Sequence, residues 1–390
     1  MKTFRKFVVA TDSFKGCLGS EEAGGAVRDA LRGLFPGAAV ELLPLSDGGE
    51  GFLVPFARRG GFEETVETVR GPLGDPVRAR WLWDAAGRRA IVESAEACGL
   101  GLVPRDRRDP LRASSFGFGE LLRSALERGA AEIVAGLGGS ATNDGGLGML
   151  CALGARPLWK DGKERAPEAR SLKGIADFDL EGFDPRIAHC RFRAACDVRN
   201  PLLGPEGATR TYGAQKGASP RDLAELESGM RDLATAVHRM VFEDRSAEPG
   251  SGAAGGLGFA MRNFLGAELA GGAALVVRET GLREALEGAD LFVTGEGAFD
   301  AQTLHGKCPG EAAKIARNLG VQVLLLCGRI GDPDAVRGLP EGVAVREVSP
   351  RGLAPGKALE AETAKANLAS AVREFFLREA GPDQAPTNAP

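Results

Sequence analysis

The chain has 390 residues, 43% hydrophobic and 26% charged, a balance that excludes wholesale disorder and provides for about two cores of ~100–200 residues each. Its 49 Lys and Arg against 53 Asp and Glu leave a net charge of −4 with no basic block, which argues against a nucleic-acid partner. No export signal is expected, since Asp12 interrupts the short apolar run Phe7–Thr11, and no membrane partner, since Arg262, Asn263 and Glu268 break the Gly/Ala-rich run 250–277 before the ~20 apolar residues of a membrane span. Seven cysteines without a CxxC pair, with three histidines, argue against a zinc site or a disulfide framework and point to the cytoplasm.

In chain order, the apolar runs Phe7–Ala10 and Ala38–Leu43 predict strands, with Ser20 capping a helix over Glu21–Leu34 between them. Residues 63–93 alternate in short strands punctuated by Gly71-Pro72, Gly74-Asp75-Pro76 and Asp84-Ala85-Ala86-Gly87. A helix over Ser115–Arg128, a strand at Ala131–Gly136, a helix over Gly146–Gly154, a strand at Phe192–Ala195 and a helix over Pro220–Phe242 follow. Strands return at Asp290–Thr294, Val321–Cys327 and Val343–Val348, with Pro309 opening a helix over Gly310–Asn318 and an amphipathic helix closing the chain over Lys357–Leu377.

Strands alternating with helices imply parallel pairing through right-handed crossovers, hence an open α/β sheet. More than 200 residues separate the first two of these strands from the last three. The expected architecture is therefore an α/β parallel-sheet domain over 1–62 plus 285–390, split by an inserted α+β domain with a mixed sheet over 63–284. The polar, Pro-rich segment 381–390 is expected to be a flexible tail. No internal repeat is apparent.

Glycine stands at 56 of 390, about twice the ~7% norm, and it clusters in six polar stations. Asp12-Ser13-Phe14-Lys15-Gly16 follows the first strand, and Asp47-Gly48-Gly49-Glu50-Gly51 follows the second. Gly136 to Gly146 runs from strand through loop to helix and holds Gly138, Gly139, Ser140, Asn143 and Asp144. Cys196 to Pro201 holds Asp197 and Asn200, and Gln215-Lys216-Gly217-Ala218 is the fifth. Gly295-Glu296-Gly297 leads on to Asp300, Gln302, Thr303, Gly306 and Lys307. Loops at the carboxyl ends of strands are where open α/β sheets bind ligands, and glycine-rich ones present free N–H groups to anions. The carboxylates Asp47, Glu50, Asp144, Asp197, Glu296 and Asp300 suit Mg2+ or a proton instead. Lysine is scarce, 11 against 38 Arg, yet Lys15, Lys216 and Lys307 each adjoin a glycine within a station. Compact point charges beside carboxylates and anion loops make up the equipment of phosphoryl transfer.

Rival readings are weaker. Gly136–Ala141 matches G-x-G-x-x-A, but its ribose acid would have to be Asp161 in a polar turn. No Walker A loop and no G-x-S-x-G occurs, Cys98, Cys151 and Cys327 read as small core residues, and His305 reads as a solvent-facing loop residue.

Taken together, ATDSFKG (10–16), DGGEG (47–51), GGSATNDGG (138–146), CDVRNPLLG (196–204), QKGA (215–218), GAAGGLG (252–258) and GEGAFDAQTLHGK (295–307) resemble the bacterial type I glycerate kinases, from Val8 to about Gly328. The resemblance implies MgATP-dependent phosphorylation of D-glycerate, usually to 2-phosphoglycerate, with 3-phosphoglycerate as the alternative product. It also implies a flavodoxin-like domain interrupted by a second α/β domain, with the active site in the cleft between. Phe52 and Ala214 depart from the family pattern and stand where they could reshape a pocket wall.

On this reading Asp197 takes the glycerate hydroxyl proton, with Asp144 as runner-up, and Lys15 joins them in catalysis. Lys15 and Lys307 contact the transferring phosphate or the substrate carboxylate, with Ser13, Gly48, Gly49, Gly138, Gly139, Ser140, Asn143, Asn200, Gln215, Lys216 and Gln302 completing the substrate and phosphate contacts. Asp47, Glu296 and Asp300 approach Mg2+. The partners are then D-glycerate and ATP, in a monomer or homodimer. A non-catalytic hydroxy-acid or nucleotide sensor and a nicotinamide-dependent glycerate dehydrogenase are the rivals.

Overall fold

The computed structural model describes residues 4–300, 303, 307–337, 339–350 and 352–379. Its strands in chain order are β1 (Lys6–Thr11), β2 (Ala39–Leu42), β3 (Glu63–Arg70), β4 (Pro76–Asp84), β5 (Arg89–Glu93), β6 (Glu132–Gly136), β7 (Arg156–Trp159), β8 (Ile175–Asp179), β9 (Arg191–Ala195), β10 (Glu268–Ala270), β11 (Leu291–Phe299), β12 (Gln322–Ile330) and β13 (Val343–Glu347). The chain forms two compact units, Met1–Asp47 with Ala273–Pro390, and Gly48–Gly272.

In the first unit, five apolar runs pair as one wholly parallel sheet of order β13-β12-β11-β1-β2. The inner strands β1, β11 and β12 read as near-continuous hydrophobic runs because both faces are covered. Phe7, Val9, Val293, Leu324 and Leu326 face one layer, where the helix Ser20–Leu34 buries Ala23, Val27 and Leu31 and the helix Ala361–Glu379 buries Leu368, Val372 and Phe375. Leu325, Cys327, Val345 and Phe299 face the other, as period-2 alternation requires. Strand order reverses between β1 and β11, so that pair is the topological switch point.

Three local expectations change here. The first helix is capped by Gly19, not Ser20: the Glu22 carboxylate accepts from the Gly19 N–H at 3.1 Å, while the Ser20 carbonyl accepts from Thr11 Oγ1 at 2.9 Å. The closing helix is broken into Pro355–Ala358 and Ala361–Glu379, with the Glu360 carbonyl accepting the first bond of the second piece from the Ala364 N–H. The sixth glycine station does not follow its strand but lies in it, since β11 runs on to Phe299 and keeps register with β12 through Phe299 opposite Ile330. Phe299 is fully buried, which rewards that extension.

The second unit carries a six-stranded mixed sheet of order β10-β9-β6-β5-β4-β3, antiparallel from β3 to β5 and parallel from β5 to β10. The Asp84 side chain closes the β4–β5 turn by accepting from the Ala86 and Gly87 N–H groups, both at 3.0 Å. The helix Phe116–Glu127 buries Phe118, Leu121, Leu122 and Ala125 in one core with Trp81, Val92 and Ile133. The helix Pro220–Val241 starts from a capping box in which Ser219 and Asp222 exchange hydrogen bonds. A two-stranded sheet, β7 with β8, and the three-residue strand β10 were not foreseen. Parallel pairing brings the ends of β5, β6, β9 and β10 to one edge, and with them Glu93, the Gly136–Gly146 loop, Asp197 and Gly271. Among the described residues no helix is long and apolar enough to cross a membrane.

Candidate active site

At the switch point of the first unit lies a cavity of about 650 Å3. Its charged end combines Asp12, Lys15 and Asp47 from the segments after β1 and β2 with Glu296 on β11 and Lys307 before the helix Cys308–Asn318. The Lys15 Nζ lies 2.7 Å from Asp47 Oδ2. The Lys307 Nζ reaches Glu296 at 3.4 Å and Asp300 at 3.3 Å. Asp12 is buried, accepts from the Ser13 N–H at 2.6 Å, and has its pKa pushed up to about 8 by burial, with the charges of Asp47 and Glu296 adding to the rise. Burial also raises the Glu296 carboxyl, and its Oε1 has no hydrogen-bond partner. Carboxylates crowded against two lysines and an orphaned buried oxygen make a place that a cation would relieve. Among the described residues no three His, Cys, Asp or Glu side chains form a complete metal cage. In phosphoryl-transfer sites Mg2+ takes one or two carboxylates and completes its shell with phosphates and water. Gln302, with His305 and Gly306, lies outside the described residues.

The stations of the second unit are closed on themselves. A Cβ on Gly138 would fall 2.5 Å from the Gly49 Cα, and one on Gly48, at φ +90°, 2.8 Å from the Ala195 carbonyl oxygen, so the two loops interlock through bare backbone. Asp144 is fully buried and accepts from the Ser115 N–H and Oγ (2.7 and 2.8 Å) and from the Gly146 and Gly148 N–H groups (both 3.1 Å). It thereby ties the starts of two helices together. Lys216 is buried as well, donates to Ser140 Oγ at 3.1 Å and the Thr142 carbonyl at 2.6 Å, and has its pKa lowered to about 8 by burial. Asn143 donates to Thr209 Oγ1, while its Oδ1 is buried without a partner. The Asn200 amide is occupied by the Glu206 carbonyl, Thr211 and the Tyr212 hydroxyl. Gln215 is exposed, and its carbonyl accepts from Arg108. Asp197 is half-buried just past β9, with Oδ1 close to Gly271.

Phe52 is no pocket wall: it is fully buried, stacked edge-on against Phe56 and pressed on Gly136. Two residues escaped sequence reasoning. Asp12 opens the first station and could have been found as the first polar residue past the strand at the switch point. Glu93 ends β5 and accepts from the Gly51 N–H at 2.9 Å and the Leu53 N–H at 3.2 Å, holding the start of the helix Leu53–Arg59. Burial pushes its pKa up to about 7. A glutamate directly after Ala90-Ile91-Val92 is an inward-facing signal that could have marked it.

A parallel sheet with lysines and carboxylates at its switch point, in a chain that also carries glycine loops at strand ends, defines the class: a phosphotransferase acting on small molecules. Residues 7–377 match the glycerate kinase family. A protein of Escherichia coli (strain K12) named glycerate 2-kinase is 42% identical over 327 residues, 84% of this chain and 86% of its own length. A glycerate kinase of Bacillus subtilis (strain 168) is 41% identical over 332 residues, covering 85% and 87%. A crystal structure from Salmonella typhimurium LT2, assigned as glycerate kinase 2, superposes with a TM-score of 0.79 at 38% identity over 95% of this chain and 97% of that one. The chain belongs to the glycerate kinase family, and it is an enzyme that phosphorylates glycerate with ATP as the phosphate donor.

Proposed function

We propose that the enzyme phosphorylates the 2-hydroxyl of D-glycerate, giving ADP and 2-phosphoglycerate. The observation that carries the position of transfer is the extent of likeness to the E. coli relative named glycerate 2-kinase. In the step, the glycerate oxygen bonds to the γ-phosphorus, the bond from phosphorus to the β-phosphate oxygen breaks, and the hydroxyl proton passes to Asp197. Asp197 suits the base because it is half-buried at a strand end, whereas Asp144 is sealed by four accepted hydrogen bonds and serves to hold its loop. Lys15 and Lys307, with Ser13, hold the phosphates, and the lysines exchange their present carboxylate partners for phosphate oxygens.

Mg2+ would be held by Glu296 and Asp47, with Asp300 beside them, and when bound it supplies charge neutralisation of the transferring group. Lys216, Ser140 and the glycines Gly48, Gly49, Gly138 and Gly139 keep the acceptor side rigid rather than gripping phosphate, because Lys216 and Ser140 bond to each other and the glycines interlock. Asn143, Asn200 and Gln215 complete that side. A cytoplasmic setting is also part of the proposal, in keeping with seven cysteines outside any disulfide.

The test is ADP release with MgATP and D-glycerate, with L-glycerate as control and enolase as the coupling enzyme. Product that enolase consumes directly supports transfer to the 2-position. ADP release that enolase follows only after phosphoglycerate mutase is added would move the phosphate to the 3-position.

A further inference from the structure

Asp12, Lys15, Asp47, Glu296 and Lys307 gather in one part of the cavity in the parallel-sheet unit, and Arg329 and Glu347 line it as well. The other end is lined by Val348, Leu353, Leu359 and Ala364, with Ser349 and Asn367 among them. These residues come from the extension of β13, the turn closed by the Leu353 N–H to the Pro350 carbonyl, the link at Leu359 between the two closing helices, and the first turns of the last helix. Leu359 is 53% exposed although large and apolar, and it stands in the cavity wall. The side chains of Ser349 and Asn367 are half-buried and make no hydrogen bond among the described residues.

A pocket of about 650 Å3 is of the size that encloses an entire small ligand, and its two ends demand a molecule with two chemistries. Glycerate has three carbons, each bearing oxygen, and has nothing to place on an apolar wall. The second substrate of the reaction has a polyanionic chain joined to a flat, weakly polar heterocycle. We propose that the apolar end seats the purine of the nucleoside triphosphate, packed on Val348, Leu353 and Leu359, with the Asn367 amide and the Ser349 hydroxyl meeting the ring edge. The geometry of a primary amide matches a donor–acceptor pair such as the 6-amino group and N7 of adenine. The triphosphate then extends towards Lys15 and Lys307, an orientation that rests on the phosphate contacts proposed above. The assignment places the nucleotide on this wall, not on the Gly138–Ser140 loop, where Gly138 interlocks with Gly49 and Ser140 accepts from Lys216.

Steady-state kinetics and titration with inorganic tripolyphosphate separate base from phosphate binding. Leu353→Glu should raise the KM for ATP by about tenfold or more, leave the KM for glycerate unchanged and leave tripolyphosphate affinity unchanged. Asn367→Ala should erode the preference for ATP over GTP. An ATP KM within twofold of the parent in a folded Leu353→Glu protein overturns the assignment. Lys15→Ala distinguishes the two readings: if it weakens neither ATP nor tripolyphosphate, the phosphate contacts fail while the purine seat is judged on Leu353 alone. Photolabelling of the unaltered enzyme with 2-azido-ATP requires no variant. Label on peptides spanning 347–367 supports the seat, and label confined to residues 48–272 overturns it.

Discussion

The two units use the same short polar motifs to opposite ends. In the parallel-sheet unit, Asp12, Asp47, Glu296, Lys15 and Lys307 stand around an open cavity, where burial first and neighbouring carboxylates second push the Asp12 pKa up to about 8, and the Glu296 Oε1 has no hydrogen-bond partner. In the mixed-sheet unit, Asp144 and Lys216 are buried and bonded to their own chain, and Gly48, Gly49 and Gly138 press backbone against backbone. A buried polar group that is fully satisfied rigidifies, whereas a crowded and partly satisfied one is ready to exchange partners with a ligand. A glycine-rich polar motif is therefore no guide by itself to whether its groups face a ligand or the protein.

The contrast is tested most severely by two aspartates of the second unit. Asp197→Asn should lower kcat by ~10²–10⁴-fold in a protein that stays folded, because the positioned base is lost. Asp144→Asn should instead cost about 2–4 kcal/mol of stability, read by urea unfolding, since an amide nitrogen would face backbone N–H groups. Equal kinetic loss in both with unchanged stability would erase the distinction between them. Next in size, Lys15→Ala should reduce kcat/KM for ATP by roughly 10–100-fold without destabilising the fold, since the side chain is exposed and its ion pair with Asp47 contributes little to stability.

Gly138→Ala should cost about 1–3 kcal/mol because the new methyl meets the Gly49 backbone, and calorimetry would show it. The smallest effect concerns Glu93. Its folded pKa of about 7 lies above the ordinary 4.5, so protonation favours the folded state, and that contribution is complete below about pH 4.5 and lost as pH rises to 7. Glu93→Gln should flatten the pH dependence of Tm across that window, and an unchanged slope would show that the group is not buried in solution.

Much of the first unit was legible because five apolar runs separated by helical patterns admit little besides a parallel sheet. The β7–β8 pair was not, since Arg156-Pro157-Leu158-Trp159 is only four residues long, includes a proline and leaves Leu158 exposed. The break after Ala358 escaped notice because the amphipathic pattern runs straight through it. Ser20 looked the better cap by residue type, but its carbonyl is needed by Thr11 and the Glu22 carboxylate serves the backbone of Gly19. At the site, the carboxylates were legible as residue types, yet adjacency to glycine could not tell whether the Lys216 ammonium reaches a ligand or the Ser140 and Thr142 of its own chain. Asp12 and Glu93 acquire their importance from burial, which depends on contacts distant in sequence.

The pairing of β1 with β11 also bears on the order in which the molecule can be made. At the base of that pair the Lys6 N–H donates to the Asp290 carboxylate, 284 positions further along the chain. A ribosome adding ~5–20 residues per second finishes the whole mixed-sheet unit before it delivers the strand that β1 requires. The first 47 residues thus wait as a β-α-β fragment with the β11-facing edge of β1 open while their insert matures, and closing so long a loop makes completion of the parallel sheet the late and slow event of folding. Early truncation should release a folded insert attached to a sticky amino-terminal arm, and in the cell that arm is the segment most in need of a chaperone.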